Sequence, residues 1–191
     1  QLIDLTSKLA DECRAFTAEK YAICGIGFAS PAPAAKDGDG VLTKLPNLPS
    51  LNGMNLKKAL FDRFGLPVTL ENDATAAAIG ENWLGAARAC YDSIQITLGT
   101  GVGGGIIINN EPFRGVDGSA GEIGHICVEP DGHPCGCGSN GCIEQYASAT
   151  AIVRMARESG LEMTRSSEVY DASMNGDDLA RSVFQKMGRY L

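Results

Sequence analysis

The sequence predicts an α/β protein in two lobes, and three observations carry that prediction. Strand-like and helix-like segments alternate through the first half of the chain. Near Tyr91–Asp92 the pattern changes to short, closely spaced strands that read as a β-meander. Beyond them, a glycine-rich loop gathers one histidine and three cysteines between His125 and Cys142. The expected division is an α/β lobe over 1–92 and a second lobe over 93–191 that contains the loop.

Each element has a local reason. Residues 2, 3, 5, 9 and 10 are apolar with charges between them, which predicts an amphipathic first helix. Tyr21 to Phe28 reads as a buried strand running into the turn Ser30-Pro-Ala-Pro-Ala34. Leu45-Pro-Asn-Leu-Pro49 is irregular because each proline restricts the residue before it. Residues 55–64 form a helix stopped by Gly65, residues 66–70 a strand, and residues 74–87 an alanine-rich helix. Residues 93–97 alternate as a strand; a glycine run follows, then a strand at 106–108, a turn at Asn109-Asn110-Glu111 and a last strand at 112–114. Helices are expected at 148–158 and 177–190, with a polar stretch between them.

Bulk properties exclude several classes. A net charge of −7 argues against nucleic acid as a partner of this segment, because a phosphate backbone demands a basic face. No apolar run approaches the ~20 residues that span a bilayer. Cys13, Cys24, Cys90 and Cys127 sit in apolar patterns and read as small hydrophobes. An odd total of 7 cysteines with one tight cluster favours a metal site in a reducing cytoplasm over disulfides. The chain opens at Gln1 and closes within a helical pattern at Leu191, which predicts an internal piece of a longer protein.

Four motifs carry chemistry. Glu71-Asn72-Asp73 follows a strand and precedes a helix. An N-cap and a catalytic base share that geometry: the helix N-terminus favours an ionised carboxylate, which also points into the crevice where α/β folds bind ligands. Asn72 beside it can donate to and accept from hydroxyls. Leu98 to Gly105 contains GxGxxG at Gly99, Gly101 and Gly104, but the motif leads into a strand, whereas a dinucleotide site requires a helix. The reading that survives is a hairpin turn whose N–H groups cradle phosphate, with hydroxyls from Thr97 and Thr100. The spacing H-x9-C-x-C-x4-C offers His125, Cys135, Cys137 and Cys142 as four metal ligands, enough to close a structural zinc site. A structural cysteine loop and a redox pair remain the other readings of that spacing, and His133 is the competing histidine. Glu122 and Glu144 flank the loop; with His125 they suggest one wall of a polyol site.

Taken in order, Glu71-Asn-Asp-Ala-Thr-Ala-Ala-Ala-Ile-Gly-Glu81, Leu98-Gly-Thr-Gly-Val-Gly-Gly-Gly105, Gly121-Glu-Ile-Gly-His125 and Cys135-Gly-Cys-Gly-Ser-Asn-Gly-Cys-Ile-Glu-Gln-Tyr-Ala-Ser148 resemble the ROK family (repressor, open reading frame, kinase), and within it the bacterial glucokinases most. The resemblance implies the two-lobed actin-like ATPase (ribonuclease H-like) fold, incomplete at both ends, and ATP-dependent phosphorylation of a hexose, glucose at its 6-hydroxyl. It implies Asp73 as the base. It implies Asn72, Glu122, His125, Glu144 and, more weakly, Asn47 as sugar contacts. Gly99, Thr100, Gly101 and Gly103 would meet phosphate, and His125, Cys135, Cys137 and Cys142 would hold a structural zinc. Mg-ATP is the implied co-substrate, the hexose the partner, a homodimer the assembly and the cytoplasm the location. The family's first phosphate loop, Asp-x-Gly-Gly-Thr, is absent, as is its adenosine-binding segment, so this piece alone is expected to be inactive. Ala32 stands where family members more often carry Gly. A sugar-sensing repressor of the same family is the alternative reading.

Overall fold

The computed structural model describes residues 2–17, 21–31, 40–42 and 49–191. Asn47 and most of the 45–49 segment lie outside the described residues, as do Ala32, Pro33 and Ala34. The chain forms two compact units: Gln1–Ala76 with Arg114–Ser119, and Ala77–Phe113 with Ala120–Leu191.

The first unit contains α1 (Leu2–Thr17), β1 (Ile26–Ser30), α2 (Leu56–Phe64) and β2 (Val68–Asn72). β1 and β2 pair in parallel, with Phe28 opposite Leu70 and Ser30 opposite Asn72. The strand expected at 21–28 therefore starts and ends later. Its regular pairing begins at Ile26, which bonds to the Pro67 carbonyl, and Pro67 itself has no N–H to extend the ladder. The α2 boundaries follow the sequence signals. Asn55 caps it by accepting the Lys58 N–H at 2.8 Å, and Gly65 ends it in the left-handed region at φ 64°. Leu42, Leu56, Leu60 and Val68 are the buried centre, with Ile3, Phe28 and Leu70 packed around them. α3 (Asp73–Leu84) follows β2 without a loop and continues into the second unit. It stops three residues short of the expected end, where the Glu81 carboxylate accepts the Ala86 N–H at 2.7 Å and closes the helix.

The second unit opens with an antiparallel meander of β3 (Ser93–Leu98), β4 (Val102–Ile108) and β5 (Glu111–Pro112). The Asn109–Asn110 turn has positive φ at both residues, 56° and 60°, as a tight primed hairpin turn requires. Gly103, Gly104 and Gly105, expected in a turn, are strand residues facing Thr97, Ile96 and Gln95. Gly104 is small because another segment lies against it: a Cβ there would come within 2.5 Å of Ile123 Cδ1 and 2.6 Å of the Gly121 carbonyl. After the loop come α4 (Glu144–Ala147), α5 (Ala149–Glu158), α6 (Ser166–Met174) and α7 (Asp178–Tyr190). α6 was not expected. Its start is held by Glu168, whose carboxylate accepts the N–H groups of Thr164 and Arg165; these hold its pKa down to about 2. Ile152 and Met155 of α5, Val169 of α6 and Val183 of α7 bury one another.

No helix among the described residues is long and apolar enough to cross a membrane. Cys13, Cys24, Cys90 and Cys127 are exposed, which corrects their reading as small hydrophobes of apolar patterns: the buried clusters are built from larger aliphatic side chains such as Leu56, Leu60 and Val183. Leu60 is fully buried whereas Leu84 is 70% exposed. Leu60→Ala should therefore cost about 2–5 kcal/mol in urea unfolding, and Leu84→Ala under about 0.5 kcal/mol. Equal shifts would contradict this core.

Candidate active site and metal centre

The tripeptide Glu71-Asn72-Asp73 lies where β2 passes directly into α3. All three side chains are engaged locally. Asn72 Oδ1 accepts the Thr75 N–H at 3.0 Å, so Asn72 acts as the helix cap. Asp73 Oδ1 accepts the Ala74 N–H at 2.8 Å at the positive end of the helix dipole. Glu71 is buried, unlike most carboxylates, and Arg114 pairs with it through Nε at 3.0 Å and through Nη2. These four residues belong to the first unit.

The cysteine loop belongs to the second unit and is closed on itself by backbone bonds. The N–H groups of Val128 and Glu129 both reach the Gly141 carbonyl, at 2.8 and 3.2 Å, and Ile143 N–H reaches the Ile126 carbonyl at 2.9 Å. Gly141 is obligatory here: its φ is 66°, and a Cβ would lie 1.6 Å from the Glu129 carbonyl oxygen. This closure brings together one ligand atom each from His125, Cys135, Cys137 and Cys142, all within 4.8 Å of one another. Cys135 Sγ is 3.5 Å from His125 Nδ1, and Cys137 Sγ is 3.6 Å from Cys142 Sγ. A tetrahedral zinc ion sets such atoms about 3.5–3.8 Å apart, so the donor set fits that metal. The thiol chemistry points the same way. Burial pushes the Cys142 thiol up to about 12, and Cys135 and Cys137 beside it add to the rise. The Ser139 N–H holds Cys137 below the usual thiol range. Thiolates this close repel one another unless a cation lies among them. His133 is not in the cluster; its N–H donates to the Tyr146 hydroxyl at 3.1 Å.

With Nδ1 turned to the cysteines, His125 presents Nε2 on its other side, 3.8 Å from the Glu122 carboxylate. Glu122 and His125 bracket a short 3-10 turn at Ile123–His125 that packs on the start of β4. A Cβ on Gly124 would lie 2.0 Å from the Val102 carbonyl oxygen. Glu144, the first residue of α4, meets the same residue from another direction: its Oε2 accepts the Val102 N–H at 3.0 Å. The segment bearing Glu122 and His125 thus abuts the Val102 carbonyl, and Glu144 holds its amide. The glycine turn between β3 and β4 carries Gly99, Thr100 and Gly101, with Gly103 one residue into β4. Its carbonyls are anchored on the start of α5, Gly99 by the Ala149 N–H at 2.8 Å and Thr100 by the Thr150 hydroxyl at 2.9 Å. Thr100 also borders a cleft of about 620 Å³ lined by Thr150, Arg154, Arg157, Thr164 and Arg165.

A model of the ROK family matches residues 4–191. The chain belongs to the ROK family. It is 43% identical over 166 residues to a glucokinase of Halalkalibacterium halodurans, covering 86% of this chain and 50% of that one. It is 35% identical over 171 residues to the xylose repressor of Bacillus subtilis, covering 90% of this chain and 44% of that one. The structure of a ROK family glucokinase from Streptomyces griseus, in complex with glucose and AMPPNP, superimposes with a TM-score of 0.78 at 36% identity, covering 96% of this chain and 65% of that one. The fold is accordingly the α/β actin-like ATPase fold of the ROK kinases. The chain spans about half the length of the curated relatives it matches.

Two features of this ROK chain escaped the sequence. The pairing of Glu71 with Arg114 joins residues 43 positions apart, and no local spacing announces it. The arginines of the cleft come from a helix and from the loop after it, so they too form no motif. The Glu144–Val102 bond has a tight steric margin, because a Cβ on Gly101 would sit 2.2 Å from Glu144 Oε2. Gly101→Ala should displace that carboxylate and shift the Val102 amide resonance. Gly99→Ala, where an added Cβ meets nothing within 4 Å, should leave that resonance in place. Equal effects of the two substitutions would refute the contact.

Proposed function

We propose that the protein carrying this chain transfers the γ-phosphoryl group of ATP to a hexose, most simply glucose at its 6-hydroxyl. The observation that carries this reading is the position of Asp73 at the exit of β2 and the N-terminus of α3, in a family whose members include glucokinases and a glucokinase structure holding glucose and AMPPNP. In the proposed reaction the sugar hydroxyl gives its proton to Asp73 as its oxygen bonds to the γ-phosphorus. The bond from that phosphorus to the β-phosphate bridging oxygen breaks, and ADP leaves. Asp73 sits at the positive end of the α3 dipole, where its Oδ1 accepts the Ala74 N–H.

The remaining roles are proposed on the same basis. Asn72, Glu122, His125 and Glu144, with Asn47, bind the sugar hydroxyls. Gly99, Thr100, Gly101 and Gly103 approach the phosphates; the adjoining cleft offers hydroxyls and the guanidinium groups of Arg154, Arg157 and Arg165, with the Glu158 carboxylate paired to Arg154. Mg²⁺ would accompany the nucleotide and supply positive charge to its phosphates. His125, Cys135, Cys137 and Cys142 would hold a zinc that supplies rigidity, and His125 would keep its second nitrogen for the substrate. None of the 7 cysteines is in a disulfide, which suits the reducing cytoplasm. A homodimer is the proposed assembly.

A second reading has its own support. The xylose repressor matches 90% of this chain, so a sugar-sensing effector domain would use the same loop and carboxylates without turnover. One experiment separates the two. The complete protein is assayed with ATP-Mg²⁺ against a sugar panel, alongside Asp73→Asn. A kinase turns over a hexose, and the variant loses about 10²–10⁴-fold in kcat while retaining sugar affinity. Sugar binding without turnover by the unaltered protein would establish the repressor reading instead.

A further inference from the structure

Asp73 is joined through Asn72 to the buried Glu71, and Glu71 is held by a residue far away in sequence. The two oxygens of Glu71 have different tasks. Oε1 accepts the N–H of Asn72 at 3.0 Å. Oε2 receives Arg114, through Nε at 3.0 Å and through Nη2. The Glu71 side chain is only 10% exposed, and that of Arg114 is 38% exposed. The carboxylate is therefore a bridge between a guanidinium and the main-chain amide of Asn72. That amide lies within the strand end that delivers Asp73.

We infer that Arg114 is a positioning residue for the proposed phosphoryl transfer: through Glu71 it fixes the Glu71–Asn72 peptide, and so the direction in which Asp73 presents its carboxylate. The inference rests on Asp73 being the base. Three features support it. The junction has no loop to absorb an error, because β2 ends at Asn72 and α3 begins at Asp73. The Asn72 side chain is committed to the Thr75 N–H, so a rotation of the preceding peptide would strain the cap and the base together. Finally, a buried carboxylate that loses its cation keeps its desolvation cost and must find another partner; its neighbours would move. Arg114 also balances the charge of Glu71 close to Asp73. A planar guanidinium can place two donors on one oxygen, whereas a lysine ammonium can only approach it as a point charge.

The test uses the complete protein with Arg114→Ala, Arg114→Lys, Glu71→Gln and, as reference, Asp73→Asn. Turnover is normalised to the folded fraction measured by thermal melting. Arg114→Ala should lower kcat by about 10–100-fold, because displacements of about an ångström cost that much, with sugar and ATP KM changing less than about threefold. Arg114→Lys, which restores the charge but not the paired donors, should recover only part of that loss. Glu71→Gln, which keeps an acceptor for the Asn72 N–H but loses the charge, should fall between wild type and Arg114→Ala. If Arg114→Ala keeps a normalised kcat within about twofold of wild type, or if its loss appears in KM instead, the positioning role is overturned. If Asp73→Asn itself retains turnover, the base assignment fails, whatever Arg114 does.

Discussion

Three thiols and an imidazole converge inside one closed loop, and the chemistry of the second unit is arranged around that convergence. The approach is enforced by main chain. Gly141 lets the Glu129 carbonyl pass where any side chain would collide, and the ladder beyond it holds Cys142 near His125 and Cys135. Without a cation, burial and the neighbouring Cys135 and Cys137 keep the Cys142 thiol protonated, pushed up to about 12. With one, the same atoms fit a tetrahedral site, and the loop becomes a rigid mount for residues on either side of it.

What the mount carries is organised by Val102. Its amide is taken by Glu144, which follows the loop, and its carbonyl is met by Gly124, which precedes it. Val102 is also the first residue of β4 after the glycine turn. The proposed sugar-binding carboxylates and the proposed phosphate turn are thus connected through one residue. On the far side of the loop, Tyr146 stacks on Tyr190 at 4.4 Å, and the Tyr190 hydroxyl donates to Glu129 at 3.0 Å. These contacts tie α7 to the loop. In the first unit a different device serves the same purpose. There the Glu71–Arg114 pair orients the strand end that bears Asp73, with a buried charge pair in place of a metal.

Much of this was legible in the residues, for physical reasons. Gly65, Asn55 and the Asn109–Asn110 turn are short-range signals, because capping and positive φ depend on neighbours a few positions away. The His/Cys spacing predicted a cluster, and the four residues do converge. The glycines at 103–105 misled because they continue the run of the turn while belonging to β4; at Gly104 a small residue required by close packing looks the same in sequence as one required by a turn. α6 was hidden because its start is secured by Glu168 reaching backward from inside the helix, not by a cap ahead of it. Arg114 could not be read at all: a long-range ion pair leaves no periodicity in a single sequence.

A metal held in the His125–Cys142 loop would set the geometry of the proposed sugar-binding wall. The most direct measurement combines metal analysis of the complete protein with calorimetric sugar binding before and after chelation. The account predicts one zinc per chain, loss of sugar affinity by at least about tenfold on its removal, and recovery on adding zinc back. A protein that contains no metal, or that binds sugar equally well after the metal is stripped, would contradict it.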